Sequence, residues 1–518
     1  MNDFWEKMVI TNEKKIIDKN NLTTTENGAV AYNSTRNMCL DAFGSLGGMR
    51  KSSDEDIIRT FKNAFYEDRK LAMRMLFYFR DIRGGQGQRR VFRTIIKWLA
   101  NNYKECVENN LDNILFYGRG DDYLCLLDTP VADSVNKYIK NKLLEDVSNM
   151  NNCREVSLLA KWLPSINTSS CETRKNAYKL INAWGWEPKN YRKILSALRA
   201  YIDVTERKMS SNSWEDINYS TVPSKASINY SNAFFAHDSK RYSKYLSDLN
   251  IGKSKVNAKA LFPVDIIHKI YSNNNFYRPS DKDRILWDSM WKALPNYFEG
   301  KNETGICVCD TSGSMYGTPL EVALSLGMYC ADKCTGPFAN KFITFSSNPR
   351  LVEFKGNDIY EKVRNVVPII ENTNIEKVFN LILDTALRNN CKNEDIPSKV
   401  YIISDMQFDS AQGYRYRRNV PFMKIMRDKF EHAGYTLPSL IYWNVRASKC
   451  GMFHETVGGE NCAMVSGYSP SLFKSIIEGT IYEETIDNNG NVRVKETIDP
   501  IIVMLTTLNN ERYDRVVV

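Results

Sequence analysis

The chain has 518 residues, is 43% hydrophobic and 25% charged, and carries a formal net charge of +9. That length points to two or more domains, and that balance excludes a disordered chain. No run of about 18 apolar residues is present, which excludes a membrane-spanning helix, and the opening MNDFWEKMVITNEKK lacks the apolar core of a secretory signal.

Residues 1–50 are Asn- and Thr-rich and contain AFGSLGGMR, so they read as an extended N-terminal arm with turns. Residues 51–300 read as mostly helical. DEDIIRTFKNAFYEDRKLAMRMLFYFRDI spaces its apolar residues by three and four, as do VFRTIIKWLANNY, VSLLAKWLP and RKILSALRAYIDV. Short breaks such as RGGQGQ, GRGDD and GWEPKN separate them, which suggests a helical bundle or an irregular helical-repeat array. The Arg-Gly-Asp inside GRGDD reads as a helix-starting turn rather than an adhesion motif. The segment FRDIRGGQGQRRVFR is the densest basic stretch. Its glycines could let backbone approach a phosphate, with Arg80, Arg83, Arg89, Arg90 and Arg93 adding charge-assisted bonds. The competing reading is a connector whose arginines pair with nearby aspartates. Residues 1–300 hold 46 Lys and Arg against 35 Asp and Glu, whereas residues 301–518 hold 24 against 26. The basic excess therefore lies in the first part and favours a polyanionic partner there.

From residue 301 short apolar runs alternate with helical segments: GICVC, KFITF, LVEF, KVYIISD, SLIYWNV and CAMVSG among them. This predicts a doubly wound α/β domain with a largely parallel sheet over 301–480, joined through the polar connector YFEGKNET. Thr318, Pro319 and Glu321 are expected to cap its first helix as a capping box, and Ser469-Pro470 its last. Residues 481–518 read as a hairpin turning at Asn-Asn-Gly-Asn, followed by a short helix. The twelve cysteines are scattered, and without a signal sequence they read as reduced thiols of a cytoplasmic protein. Cys307 and Cys309 face one way along a strand and read as packing.

The run GICVC stops at Asp310, and Ser312 and Ser314 follow at alternate positions. Asp405 ends a second apolar strand, and Thr373 lies in the loop before another helix. Ligands of open α/β sheets sit at the carboxyl ends of strands. Two carboxylates and three hydroxyls without imidazole or thiolate suit Mg²⁺, Mn²⁺ or Ca²⁺ rather than Zn²⁺. A nucleophilic-serine reading is weaker: G-x-S-x-G is absent, and none of His237, His268, His432 and His454 follows a strand end. No candidate base or nucleophile accompanies the cation, so the expectation is a non-enzyme.

DTSGS with Thr373 and Asp405 resembles the metal-ion-dependent adhesion site (MIDAS) of von Willebrand factor A domains. That resemblance implies Asp310, Ser312 and Ser314 as first-loop ligands, Thr373 as the second and Asp405 as the third-loop residue. Asn372 and Asn374 flank Thr373 where many members carry Gly and Asp. YFRDIRGGQGQR, LAKWLPS, ERKMS, ALFP and YIISDMQFD extend the likeness over about residues 30–518. They resemble the family numbered 2828 among domains of unknown function, which pairs a helical region similar to the Ro ribonucleoprotein (TROVE) module with a C-terminal von Willebrand A domain. The resemblance implies a HEAT-like ring of helical repeats closed by a Rossmann-like domain, and RNA binding on basic surface. Arg119, Lys161 and Arg192 join the arginines above as candidate RNA contacts. Tyr117, Tyr191, Tyr201 and Trp162 interleave with these residues but fit core packing better. The expected function is thus an RNA-binding scaffold whose cation recruits a protein partner through an acidic residue. The alternative is a protein–protein adhesion or assembly module, such as a viral structural component, without nucleic acid.

Overall fold

The computed structural model describes residues 19–258, 260–272, 279–301, 304–335, 338–345, 348–366, 374–408, 422–457, 459, 461–486 and 492–518. It combines a mostly helical N-terminal region with a C-terminal sheet that is largely parallel.

In the helical region, the long amphipathic stretch breaks once, at Asp68, into helices Asp54–Glu67 and Arg69–Arg80. Asp68 ends the first and caps the second, its carboxylate accepting from the Leu71 N–H. The second of these helices is buried along Leu71–Arg80 and forms the hub of the region. Helices Arg90–Asn102, Ala132–Asn151, Cys171–Trp184, Pro188–Tyr201 and Asp281–Lys292 are arrayed beyond it. VSLLAKWLP yields only a single turn, Leu159–Trp162, because Pro164 ends it.

The strands are β1 (Leu22–Thr24), β2 (Val30–Tyr32), β3 (Ile306–Asp310), β4 (Lys341–Phe345), β5 (Leu351–Glu353), β6 (Lys399–Ser404), β7 (Ser439–Asn444), β8 (Cys462–Ser466), β9 (Thr480–Ile486) and β10 (Val492–Ile498). The main sheet has the order β5-β4-β3-β6-β7-β8, parallel throughout except at the β4–β5 edge. Strands β3, β6, β7 and β8 are buried at every residue, as a parallel sheet covered on both faces requires. β9 and β10 form the expected hairpin, with its Asn-Asn-Gly-Asn turn outside the described residues, and helix Pro500–Leu508 follows. Cys307 and Cys309 are buried in β3, and no disulfide joins the described cysteines.

Three local expectations need correction. The first-helix cap is Gly317, in a left-handed conformation (φ 88°), and Thr318 makes no capping bond. Glu321 instead meets His268 Nδ1 at 2.7 Å. The last helix, Ser471–Glu478, begins after Pro470 without a side-chain cap in the usual register, although Ser469 Oγ accepts from the Ser471 N–H at 3.3 Å.

The largest difference concerns the N-terminal arm. Residues 22–32 form the β1–β2 hairpin, Met38–Ser45 is a helix, and Cys39–Met49 is buried. This helix packs on β7 and β8, at the far end of the chain. A Cβ on Gly47 would stand 2.2 Å from the Ser466 carbonyl oxygen. The glycines of AFGSLGG therefore serve close approach rather than chain flexibility. The C-terminal tail makes the reciprocal contact. Asp514 pairs with Arg74 at 2.8 Å, Arg512 Nη2 donates to Asp81 at 2.8 Å, and the Val517 carbonyl accepts from Asn110 at 2.7 Å.

Candidate functional sites

β3 and β6 are parallel neighbours, so their carboxyl ends share one edge of the sheet. That pairing brings Asp310 to Ser404 and Asp405. Asp310 is buried. Its Oδ2 accepts from the Ser404 hydroxyl at 2.5 Å and its Oδ1 from the Ser312 N–H at 2.9 Å. The Ser312 and Ser314 hydroxyl oxygens lie 3.0 Å apart. Ser314 also bonds the Asp405 carboxylate, whose Oδ1 accepts from the Gln407 N–H at 3.2 Å. Asp310, Ser312, Ser314 and Asp405 thus converge, whereas Thr373 lies outside the described residues.

Burial pushes the Asp310 carboxyl up to about 6, against the Ser404 bond, and Asp405 adds to the rise. Burial likewise raises Asp405. Two desolvated carboxyls side by side favour either a shared proton or an incoming cation. The donors are all hard oxygens, which fits Mg²⁺, Mn²⁺ or Ca²⁺. Arg446 borders the site, its guanidinium donating to the Ser314 carbonyl oxygen.

Two supporting residues were not singled out from the sequence. Ser404 holds Asp310 and also accepts from the Met406 N–H at 3.0 Å. His454 Nε2 meets the Met406 carbonyl oxygen at 3.1 Å, and its ring stacks on Phe408 with centroids 4.2 Å apart. Burial lowers the His454 pKa to about 4, so the ring is neutral and donates from Nε2. Together they hold Met406 in a left-handed conformation (φ 66°), which sets the course of the loop after Asp405. Ser404 was legible as the residue before Asp405 at a strand end. His454 had no local signal.

The basic candidates divide into three groups. Arg80 is withdrawn from the surface: it is 1% exposed and pairs with the fully buried Asp122 at 2.6 Å. Arg83, Arg89 and Arg90 are exposed, and they engage the Phe116 carbonyl oxygen, Asp121 and Asp54. Arg93, Arg119, Lys161 and Arg192 line a cleft of about 1290 Å³ between the helices. Seven Lys and Arg residues against three Asp and Glu line that cleft. Arg93 is neutralised by Asp121 and Asp122. Arg119 lies over the Trp162 ring at 4.3 Å and Lys161 approaches the same ring at 5.7 Å. Arg199 bonds only neutral oxygens, of Ala160, Leu163 and Ser165. Burial lowers the pKa of both Arg119 and Arg199, the mark of cations without full countercharge. Tyr117 and Tyr191 are core residues, Trp162 is half-buried and Tyr201 is 41% exposed.

The glycine turn Gly84–Gly87 does not have the properties of a phosphate cradle. The N–H groups of Gln86, Gly87 and Gln88 bond to Tyr78, Asp81 and Phe79 carbonyl oxygens at 3.1, 2.9 and 2.7 Å. Gln86 is fully buried and its Oε1 accepts from the N–H groups of Tyr468 and Ser469, while Gln88 donates to the carbonyl oxygens of Leu46 and Gly47. The turn clamps the helical region to the sheet. Glycine is needed because a Cβ on Gly85 would stand 2.0 Å from the Tyr78 carbonyl oxygen.

Comparison with known families gives two matches. Domain of unknown function (DUF2828) matches residues 25–118 and 187–297. Domain of unknown function (DUF7788) matches residues 304–508. The chain is also 29% identical to Uncharacterized protein L728 of Acanthamoeba polyphaga mimivirus, over 95% of this chain and 90% of that relative. These similarities are to uncharacterised domain families and to an uncharacterised viral protein. They also refine the expected span, since the DUF2828 match lies in the helical region and a separate domain family covers the sheet. Among the described residues, no helix is long and apolar enough to cross a membrane.

Proposed function

We propose that the protein is a non-enzymatic RNA-binding scaffold, organised like Ro ribonucleoproteins with a von Willebrand A domain, in which a divalent cation recruits a partner. The helical cleft carries this reading. Its cations outnumber its acids, Arg119 and Trp162 form a flat cationic surface at its wall, and its volume admits several nucleotides. Stacking and phosphate contact together are how sequence-tolerant single-strand binders work. The cation site is the second element. Asp310, Ser312 and Ser314 would hold Mg²⁺ or Mn²⁺, Asp405 would act beside them, and an acidic residue of a partner would complete the sphere.

The test is binding of labelled single-stranded RNA to the full chain across salt concentration. About four phosphate contacts on a single strand give a log–log slope of roughly −3. Arg119→Glu with Lys161→Glu should weaken binding at least about tenfold while the thermal transition is retained. Binding that ignores salt, or survives the double substitution, defeats the reading. An assembly module without nucleic acid is the second reading, favoured by Tyr316, which is 84% exposed just beyond Ser314. It predicts capture of a protein partner that is lost in Asp310→Ala and that survives nuclease.

A further inference from the structure

The cleft between the helices is cationic, yet one carboxylate that lines it keeps an oxygen unpaired. Asp121, whose Oδ1 also bonds nothing, has its charge met by Arg89 and Arg93. Glu172 stands exposed in the first turn of helix Cys171–Trp184. Glu206 differs from both. Its Oε1 accepts from the Tyr230 hydroxyl across a long 3.4 Å, and its Oε2 is buried with no hydrogen-bond partner. A desolvated carboxylate oxygen left unpaired is costly. In a cleft that gathers phosphates, a negative charge also opposes binding. A ligand that brings N–H donors to Glu206 offsets both costs.

Glu206 lies in helix Thr205–Ser210 and Tyr230 in helix Ser224–His237, so the carboxylate sits where these two helices meet. Arg199 links this corner to the stacking wall. Its guanidinium donates to the carbonyl oxygens of Ala160 and Leu163, on either side of Trp162. Its own carbonyl oxygen accepts from the Val204 N–H at 3.3 Å, two residues before Glu206. We propose that the cleft selects guanine, with Glu206 as the specificity-determining residue. This inference rests on the RNA reading of the cleft and names the base it takes. Guanine presents two adjacent donors on its Watson–Crick edge, N1–H and the 2-amino group, which match the two oxygens of a carboxylate. Adenine, cytosine and uracil each set an acceptor beside their donor, and that acceptor meets Glu206 with repulsion. Arg207, the next residue and also in the cleft lining, supplies a donor for guanine O6.

The experiment measures binding of the full chain to single-stranded RNA dodecamers repeating UUG, UUA, UUC or UUU. The natural chain should hold the UUG strand about tenfold more tightly than the others. That ratio should persist as salt is raised, because a base contact releases no counterions. Inosine in place of guanine, which lacks the 2-amino group, should lose part of the preference. Glu206→Gln replaces one acceptor by a donor and should erase the preference, with the thermal transition and the binding of the UUU strand retained. Equal binding of all four strands by the natural chain, or a guanine preference that survives Glu206→Gln, would overturn the role of Glu206 and leave the RNA reading standing. Guanosine monophosphate competing at the same concentration as the UUG strand would overturn a strand as the source of the base. Binding of none of the strands would overturn both the guanine proposal and the RNA reading.

Discussion

Asp310→Asn separates the electrostatic burden of the proposed cation site from its shape. The carboxyl moves from an ordinary 3.8 to about 6 on folding, and each unit corresponds to about 1.4 kcal/mol. Because the folded value lies above the unfolded one, stability from this group is complete below about pH 4 and is lost as the pH rises through about 6. Above pH 7 the ionised form then costs about 3 kcal/mol without a cation. Asparagine removes the charge but cannot accept from both the Ser404 hydroxyl and the Ser312 N–H, a loss of about 1 kcal/mol. In chelator at pH 8 the variant should therefore be more stable than the natural chain by about 2 kcal/mol, or roughly 4–8 °C in the melting temperature of the sheet unit. Near pH 4 that advantage should vanish or reverse. Added Mg²⁺ should raise the melting temperature of the natural chain at pH 8 and leave Asp310→Asn unmoved. Thermal scans of both proteins at the two pH values, with and without Mg²⁺, decide the matter. A stability gap that is the same at both pH values would refute the argument.

Two further perturbations probe the scaffold. Asp122→Ala should destabilise the helical region by about 3–5 kcal/mol, because it strands the buried Arg80 guanidinium and also frees Arg93 Nε and the Arg119 N–H; a denaturant titration showing less than about 1 kcal/mol would contradict the assignment. Gly47→Ala places a methyl group against the Ser466 carbonyl oxygen and should cost about 1–3 kcal/mol, read as a lowered melting temperature. A neutral effect would mean that the N-terminal helix does not seat on β8 as described.

The residues of the proposed cation site were legible where the signal was local. An apolar strand ending in Asp310 or Asp405 places each carboxylate at the same sheet edge once the strands are parallel, and period-two spacing puts Ser312 and Ser314 beside the first. Ser404 was adjacent in sequence, yet its bond to Asp310 depended on β3 and β6 being neighbours. The basic segment was less legible. Eight cationic candidates look alike in sequence, but Arg80 is buried against Asp122, whereas Arg119 and Lys161 meet Trp162 at the cleft wall. Charge density reports how many cations a segment has, and burial decides which can reach a ligand.

The sequence by itself determined the helical and α/β character of the two halves, the strand ends that carry Asp310 and Asp405, and the basic excess of the first part. These follow from periodicity and composition, which act over a few residues. Only the tertiary structure decided where the termini go. It took an Asn- and Thr-rich arm with three glycines and buried it against Ser466, more than four hundred residues away, and it laid the C-terminal tail on Asp81 and Asn110. It also turned the Gly-Gly-Gln-Gly stretch from a possible phosphate loop into a clamp, since the partners of Gln86 and Gln88 lie on distant segments. The physical reason is common to the arm and the turn. A glycine or a glutamine has the same local preferences whether it opens a turn or admits another backbone, and only the surface that arrives from elsewhere in the chain distinguishes the two.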